Sequence, residues 1–474
     1  LASPDSVRYR FGKFVRRHRV GVVAAAAIVT AVAAGITATV WQARVAERER
    51  THAQREFDAV RGLAQAMLLE VTPAVGKLPG STAVREIIIR RGTEYLDALA
   101  SEASHDDELR REVALGYVRL SEVQGSIGLP NIGDRDAAKR SLLKAVSMMD
   151  PLVRRPTAMV GDRLRLATTL AQLSFFESDA QANADLNGAR ALLDTLSLPE
   201  RSTPQALAAR ESLWSNVADR QIRRRDFEGA RASQQEFLNA AQEQFRRAPS
   251  TEFDASRNLS LAYKYLGGTL EMLNRRPESL ALYAKALDLD QRRVAEDPKA
   301  PVWRLDLSFS YGAIGAALQA QHDFEGARAQ YEKAVALREA VVREDPNEDF
   351  AKAALGRGYD RLASIGAQAG HPTVALEYSA KGRQTYRDRL QAHPERDNVW
   401  REFAEAALDD IDGLLVLASN TSRAARRPVV VRVDALLDEL QENQEQWTRG
   451  KHAGELPPSA AQLSAARARV ASLR

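Results

Sequence analysis

The sequence predicts an all-α fold class, in which one transmembrane helix precedes a solenoid of stacked helix pairs. Three observations lead to this prediction. Ala, Leu, Arg and Glu dominate the 474 residues, and such a composition favours helices. A run of 21 uncharged residues lies near the N-terminus. Beyond this run, similar residues recur every 48 positions, and a fixed period of this size is typical of stacked structural units.

The chain divides into five predicted segments. They are a basic cytoplasmic juxtamembrane stretch at 1–19, a transmembrane helix at 20–41, a linker helix with a helical hairpin at 42–105, a repeat array of about six units at 106–418, and C-terminal capping helices at 419–474. Because the first residue is Leu1 and not Met, we expect the chain to be part of a longer polypeptide.

The excess positive charge is confined to the N-terminus. Residues 1–40 hold six Lys or Arg and one acid; of the 67 basic and 63 acidic residues in the chain, 61 and 62 therefore remain in residues 41–474. A protein that binds nucleic acid along an array would carry a basic face along its length. The neutral array therefore argues against a nucleic-acid partner. The absence of cysteine excludes disulfides and thiol catalysis.

Residues 20–40 form the uncharged run. At about 1.5 Å of rise per residue, a helix of this length spans a hydrocarbon core of about 30 Å. Arg16, Arg17 and Arg19 precede the run and Trp41 follows it, as is typical of the two membrane interfaces. A secretory signal peptide or a buried alanine-rich helix is the alternative, although the apolar part of a signal peptide is shorter.

The membrane segment carries two further signals. Six Lys or Arg precede it and four follow within 41–60, which predicts a cytoplasmic N-terminus and repeats on the other side of the membrane. A ridge of small residues at helical spacing is typical of membrane helices that associate closely. Ala27, Ala31, Gly35 and Thr39 form this ridge, and a homodimer through it is one hypothesis.

The period is clearest in residues 257–394. Pro298, Pro346 and Pro394 are 48 residues apart, as are Tyr263, Tyr311 and Tyr359. Between two prolines, apolar residues recur at helical spacing in two stretches separated by a polar break. Because proline cannot continue the hydrogen-bond ladder of a helix, each proline should end a helix–turn–helix unit.

The order of aromatic, large and small residues in a unit is that of the tetratricopeptide repeat (TPR). In residues 304–346 these positions hold Tyr311, Ile314, Gly315, Ala327, Tyr331, Ala334 and Pro346. The unit resembles a TPR that is longer than the usual period of about 34 residues by about four helical turns, which would preserve the packing faces. The sequence DFEGA recurs at 226–230 and 323–327, in the predicted turns.

The TPR resemblance implies that the first helix of each unit lines a concave groove that binds a protein or peptide. Carried over by position, the groove-lining residues are Lys264, Glu271, Met272, Gln319, Asp360 and Gln368. The alternative for each of them is an ordinary solvated polar position on a helix surface.

Motifs for catalysis or metal binding do not occur in the sequence. The seven histidines are scattered without the spacing of metal ligands, and neither a phosphate-binding loop nor a nucleophile elbow is present. Asp323-Phe324-Glu325 resembles the DFG motif of kinases only superficially, because no H-R-D loop precedes it. We therefore expect no enzymatic activity, no metal and no cofactor in this chain.

A second resemblance rests on the order of several motifs. They are PDSVRYRFGKFVRRHR at 4–19, WQARVAERERTHAQREFDAVRGLA at 41–64, LPGST at 78–82, EYLDAL at 94–99 and YVRLSEVQG at 117–125. This series resembles the C-terminal half of bacterial membrane-anchored Hanks-type serine/threonine kinases with extracytoplasmic TPRs. The resemblance implies a kinase domain upstream of Leu1, where ATP and magnesium would bind, and a sensor or scaffold role for this chain. It also implies a single-pass protein of the bacterial inner membrane with periplasmic repeats. The alternatives are the TPR region of another enzyme, such as a glycosyltransferase or peptidase, and a stand-alone scaffold.

Overall fold

The computed structural model describes residues 7–66, 75, 78, 80–103, 106–125, 131–247, 253–450 and 459–474. These residues form α-helices and connecting turns, with no β-strand among them. The chain divides into two compact units, which are residues 1–66 and 67–474. The prediction of an all-α fold is confirmed.

The N-terminal unit contains two helices, α1 (Val7–Arg17) and α2 (Arg19–Ala66). Residues Arg19–Glu49 of α2 are long and apolar enough to cross a membrane, with a mean hydropathy of 2.2 in their most apolar part, which is fully exposed. This criterion rests on length and composition alone. The predicted transmembrane helix at 20–41 lies within it, and residues 1–6 of the predicted juxtamembrane segment lie outside the described residues.

The hydroxyl groups within the apolar part of α2 are satisfied inside the helix. The Oγ1 atoms of Thr30, Thr37 and Thr39 donate to carbonyl oxygens four residues earlier, at 2.7–2.8 Å. An apolar environment requires such internal partners, because it offers no water to polar groups. The residues of the predicted dimer ridge are all exposed, and the homodimer stays a prediction.

The C-terminal unit contains seventeen described helices. Helices α3 to α10 are Thr82–Glu102, Asp107–Gly125, Arg135–Val153, Val160–Leu173, Asp179–Asp194, Leu198–Arg201, Pro204–Arg223 and Phe227–Arg247. Helices α11 to α19 are Phe253–Met272, Arg276–Glu296, Pro301–Ala320, Phe324–Glu344, Asp349–Gln368, Pro372–Ala392, Asp397–Asn420, Arg423–Arg449 and Ala460–Leu473. A short 3-10 helix, Ser174–Phe176, follows α6.

Consecutive helices pack in pairs, each made of a first and a second helix, and from α9 onward a short turn joins the two. The pairs are α4/α5, α6/α7, α9/α10, α11/α12, α13/α14, α15/α16 and α17/α18. Each pair also packs on the next, so the array is an α-solenoid of TPR-like units, as predicted. The predicted hairpin at 42–105 includes residues 67–74, 76, 77, 79, 104 and 105, which lie outside the described residues.

The turn between the first and second helix repeats the same backbone conformation. Arg225, Asn274, His322 and Gly370 occupy equivalent turn positions and have φ angles of 59°, 60°, 62° and 75°. This left-handed conformation reverses the chain within a few residues. It is strained for Arg225, Asn274 and His322, which carry a Cβ, so the surrounding packing helps to hold the turn there.

The aspartate of each DFEGA motif caps a second helix. Asp226 Oδ1 accepts a hydrogen bond from the backbone N–H of Gly229 at 2.9 Å, and Asp323 Oδ1 accepts one from that of Gly326 at 2.9 Å. An N-cap side chain satisfies one of the backbone donors that the first turn of a helix leaves free. The motif is therefore a repeated helix start, and its likeness to DFG has no functional content.

The periodic prolines follow the ends of the second helices. Helices α12, α14 and α16 end at Glu296, Glu344 and Ala392, two residues before Pro298, Pro346 and Pro394. The expectation that these prolines terminate the units is confirmed.

Glycine on the first helix allows an aromatic ring of the second helix to pack closely. A Cβ atom at Gly315 would lie 2.9 Å from Cε1 of Tyr331, and one at Gly267 would lie 2.5 Å from the same atom of Tyr283. The two contacts are 48 residues apart, so the closest approach of the two helices recurs with the period. Tyr331 is 3% exposed and cannot move into open solvent.

We expect Gly315→Ala to destabilise the protein, although alanine is the better helix former. The added methyl group overpacks the ring of Tyr331, at a cost of about 1–3 kcal/mol that exceeds the gain of about 0.5–1 kcal/mol in helix propensity. Gly312→Ala on the same helix is the matched control, because its Cβ would meet only Nη2 of Arg338, at 3.6 Å. Chemical denaturation should show a loss for Gly315→Ala and a small gain for Gly312→Ala; equal effects would contradict this packing.

The array returns on itself, so that its beginning contacts a loop far along the chain. Thr82, at the start of α3, donates from its backbone N–H and its hydroxyl to Oδ2 of Asp345, at 3.0 and 2.8 Å. Arg85 forms a buried ion pair with Glu348. These contacts, here called the closure contact, join residues that are 263 positions apart in the sequence.

A second set of contacts between distant units involves the loop before α5. The guanidinium of Arg396 donates to the carbonyl oxygen of Ile132. A Cβ atom at Gly133, whose φ is 78°, would lie 2.4 Å from Oδ2 of Asp349. Only glycine therefore fits at this point of contact between distant units.

Candidate functional site: the inner groove

The first helices form the inner edge of the array. Helix α11 contacts α13, α13 contacts α15, and α15 contacts α17, although a second helix separates each two in sequence. Polar bridges reinforce these contacts: Arg257 pairs with Asp306 at 2.7 Å, and Nε2 of Gln319 donates to Oγ of Ser364 at 3.3 Å. Direct contact between alternate helices places them on the concave side, where the spacing between units is smallest.

A further bridge, between α9 and α11, holds a buried carboxyl group that forms no ion pair with the residues the structure describes. Oε2 of Glu211 accepts a hydrogen bond from Nδ2 of Asn258 at 2.8 Å, and the residue is 4% exposed. Burial raises the pKa of Glu211 to about 7, and the hydrogen bond from Asn258 only partly opposes this. Folding therefore favours the protonated form.

This carboxyl group should make stability depend on pH. Since the pKa of Glu211 is higher in the folded chain than its ordinary value of 4.5, the folded state binds the proton more tightly, and stability falls as pH rises from about 4.5 to 7. The expected loss is on the order of 3 kcal/mol. Glu211→Gln keeps the shape and the bond to Asn258 and should remove this part of the pH dependence. Urea unfolding at pH 5 and pH 8 measures it; identical pH profiles for both proteins would contradict the assignment.

On each inner helix, a row of residues at i, i+4, i+7 and i+11 is at least partly accessible. We call the sixteen positions on α11, α13, α15 and α17 the groove stripe. They are Leu261, Tyr265, Gly268 and Met272; Phe309, Ala313, Ala316 and Ala320; Arg357, Arg361, Ser364 and Gln368; and Glu405, Asp409, Asp412 and Val416. All of them are exposed or half-buried, whereas most other residues of these helices are buried between the second helices.

The chemistry of the groove stripe changes from unit to unit. On α11 and α13 the stripe is apolar, with Tyr265 38% exposed and Met272 52% exposed. On α15 it carries two exposed arginines, and on α17 it carries three exposed acids. Equivalent positions thus change sign, for example from Arg357 to Glu405.

The charged side chains at the centre of the groove stripe are not neutralised by ion pairs. Within the described part of the chain, Arg357, Arg361, Glu405 and Asp409 form none, whereas Asp412 pairs with a residue of α19 at 2.8 Å. Burial, followed by the charges of neighbouring acids, raises the pKa of Glu405, and the charge of Arg401 only partly opposes this. A row of unpaired charge beside an apolar row offers a ligand both contact area and orientation.

Two of the six predicted groove residues lie on the groove stripe. Met272 and Gln368 are exposed there, and Nε2 of Gln368 donates to Oγ of Ser364 at 2.9 Å. Gln319 is half-buried and accepts a hydrogen bond from the hydroxyl of Tyr331 at 3.0 Å. It stabilises its own unit and is only partly accessible.

The other three predicted residues are held within the array. Lys264 is 8% exposed, and its Nζ donates to Asp290 at 3.0 Å. Burial raises the pKa of Asp360 to about 6, although the charge of Arg383, 3.1 Å away, lowers it. Glu271 is half-buried, and burial raises its pKa as well. The prediction that Lys264 and Asp360 are free to contact a ligand in the groove is therefore wrong, because their charged groups bind other side chains of the array.

The error has a simple geometric cause. Lys264, Glu271, Gln319 and Asp360 each lie one residue before a position of the groove stripe. One residue corresponds to a rotation of about 100° around a helix, which turns a side chain from the groove toward the neighbouring helix. The repeat pattern placed Lys264 and Asp360 one such step away from the groove stripe.

Sequence reasoning missed the residues that give the groove its charge and its aromatic surface. They are Tyr265, Phe309, Arg357, Arg361, Glu405 and Asp409. The period contains the signal that could have found them. Steps of 48 residues from Met272 reach one position on each inner helix, and the missed residues lie seven or eleven residues before those positions.

Comparison with known proteins gives a fold-level likeness only. No protein-family model and no curated protein matches the chain. Among solved structures, BtubC from P. vanneervenii is 15% identical with a TM-score of 0.41, covering 53% of this chain and 90% of its own. Aspartyl phosphate phosphatase F from Bacillus subtilis is 14% identical with a TM-score of 0.40, covering 81% and 92%. A Rap protein complexed with competence and sporulation factor is 14% identical with a TM-score of 0.39, covering 83% and 100%.

Proposed function

We propose that the chain is a protein-interaction module that binds an extended peptide segment of a partner protein along the groove stripe. The observation that carries this proposal is the continuity of the stripe over four inner helices, with apolar, basic and acidic sections in that order. Helix axes about 8–10 Å apart make this path roughly 30 Å long, which about nine or ten extended residues cover.

Peptide selection tests the groove directly. The full chain in detergent micelles is presented to a phage-displayed library of random peptides of about twelve residues, a length set by the estimated path. Affinities of the selected peptides are then measured by fluorescence anisotropy. The double variant Arg357→Glu with Arg361→Glu should weaken binding at least about tenfold, because each reversal removes an attraction and adds a repulsion.

The matched control changes the same net charge on the outer surface. Lys299 and Arg343 are exposed, on the connection after α12 and on the second helix α14. Lys299→Glu with Arg343→Glu should leave the affinity of the selected peptides unchanged. If no peptide is selected, or if the outer variant weakens binding as much as the inner one, the groove is not the binding surface.

The resemblance of residues 1–125 to membrane-anchored kinases supports a more specific proposal. The chain would be the transmembrane anchor and the extracytoplasmic sensor or scaffold of a receptor-like serine/threonine kinase, with catalysis, ATP and magnesium in the upstream domain. The alternatives are the TPR region of another enzyme and a stand-alone scaffold. The sequence upstream of Leu1 in the parent gene decides: paired H-R-D and D-F-G motifs support the kinase, and another catalytic motif excludes it.

The orientation at the membrane is a separate prediction. Because Lys and Arg are denser before the apolar run than after it, the repeats should lie outside the cytoplasm. Protease added to intact spheroplasts should digest the chain beyond residue 42. Inverted vesicles are the control, in which the repeats should be protected; the reverse pattern would contradict this orientation.

A further inference from the structure

One position on the first helix of a unit faces one position on the second helix, and this pair of positions recurs every 48 residues. On the first helix the position holds Lys264, Gly312 and then Asp360. On the second helix it holds Asp290, Arg338 and Tyr386 in the same three units.

In the first and third of these units, the side chains at the two positions bind each other. Lys264 Nζ donates to Oδ2 of Asp290 at 3.0 Å, and the hydroxyl of Tyr386 donates to Oδ2 of Asp360 at 2.9 Å. The geometry of the repeat therefore brings a side chain on the first helix within hydrogen-bond distance of its partner on the second.

In the middle unit, the first-helix position is a glycine and the second-helix position is a buried cation. Arg338 is 6% exposed; its Nε donates to Oγ of Ser308 at 2.9 Å and its Nη1 to the carbonyl oxygen of Ala354 at 2.8 Å. Its guanidinium also lies over the ring of Phe309, 5.1 Å from the centroid. Nη2 has one long contact, 3.5 Å from the carbonyl oxygen of Ser308.

Arg338 has no counter-charge in the part of the chain that the structure describes. It forms no ion pair there, unlike the buried Arg257, Arg293 and Arg389. Burial, followed by the positive charge of Arg357, lowers the pKa of Arg338 to about 9. The guanidinium is therefore still protonated at neutral pH. An unneutralised buried cation is costly, and an anion that reaches it recovers part of that cost.

At Gly312, no side chain of α13 lies between Arg338 and the edge of the groove stripe. Gly312 is half-buried and lies between Phe309 and Ala313 of the groove stripe. A Cβ atom placed on Gly312 would be 3.6 Å from Nη2 of Arg338, which is an ordinary contact distance. The space that a side chain fills in the units on either side is therefore free in the middle unit, and Arg357 stands beside it.

We propose that the groove binds its peptide through an anionic side chain that reaches over Gly312 to Nη2 of Arg338 and is also attracted by Arg357 and Arg361. This inference rests on the proposed function and specifies its ligand as a segment with a central acidic residue. Apolar residues would precede or follow that residue on the side of Tyr265 and Phe309. Acidic residues are disfavoured on the other side, because Glu405 and Asp409 repel them.

A pair of isosteric variants tests the site. Gly312→Asp supplies the missing carboxylate from the chain itself, as Asp360 does in the next unit, and should abolish the binding of selected acidic peptides, with a loss of at least about tenfold. Gly312→Asn has the same size and no charge, and should retain most of the affinity. Equal losses for both variants would assign the effect to shape and overturn the proposal. Circular dichroism of both variants establishes that they are folded.

The peptides provide a test that needs no variant protein. For a peptide selected on the unmodified chain, versions with glutamate, glutamine or phosphoserine at the acidic position are compared by fluorescence anisotropy. Glutamate or phosphoserine should bind at least about tenfold more tightly than glutamine, and their order tells whether a carboxylate or a phosphate is preferred. Selected peptides without acidic residues, or equal binding of glutamine, would overturn the anion site and leave the peptide groove intact. Failure to select any peptide would overturn both.

Discussion

Replacing Asp290 by alanine is expected to lower the free energy of unfolding by about 3–5 kcal/mol, because it leaves the buried ammonium of Lys264 without its counter-charge and Arg293 with Asp306 alone. The carboxylate of Asp290 is completely buried and binds Lys264, Arg293, Ser260 and Ser310. These side chains belong to α11, α12 and α13, so one carboxylate joins two consecutive units.

The matched control for this change lies on the same helix, two residues away. Asp288 pairs with Arg292 at 2.7 Å, but the two side chains are 58% and 70% exposed. Exposed pairs contribute about 0–1 kcal/mol, so Asp288→Ala should have little effect. Urea denaturation of the two variants compares them, and similar losses would show that the buried network does not stabilise the junction.

The same carboxylate should contribute to acid sensitivity. Burial raises the pKa of Asp290, but Lys264, Arg293 and the two serine hydroxyls outweigh burial and hold the pKa below its ordinary value of 3.8. A lowered folded-state pKa gives stability that is present above 3.8 and is lost as pH falls through the folded-state value. Asp290→Asn should therefore flatten the acid limb of the stability profile.

Replacing Arg85 by alanine is expected to open the closure contact at both of its ends, with a cost of about 3–5 kcal/mol. The side chains of Arg85 and Glu348 are 2% and 3% exposed, so the variant leaves a buried carboxyl group without its cation. Burial already raises the pKa of Glu348 although Arg85 lowers it, and the loss of Arg85 should raise that pKa further.

Hydrogen exchange reports where the opening occurs. Exchange should increase together in 82–102 and in the loop at 345–349, although these segments are far apart in sequence. Helices α9 and α10 should keep their protection, because neither takes part in the closure contact. Arg91→Ala on the same helix is the control, since Arg91 and Glu94 are 72% and 57% exposed. An increase confined to 82–102 would show that the array is open at this point.

Much of the local structure was predictable because its causes are close together in sequence. Pro346 ends its unit, Gly315 admits the ring of Tyr331, and the period places the same features in the next unit. The expectation that the first helices line a groove came from the resemblance to the TPR. The groove-facing row did not, because Lys264 and Tyr265 are both compatible with an amphipathic helix, and only the packing of the second helices decides which of them is covered.

The sequence by itself determined the helices, their pairing and their order, since caps, turn residues and apolar periodicity act over a few residues. Only the tertiary structure decided that Arg85 meets Glu348, that Asp290 collects two cations, and that Arg338 faces a glycine. The physical reason is that small rotations between successive units accumulate along a solenoid. Contacts between distant units, and the charge that each inner position meets, depend on that accumulated rotation and not on any single unit.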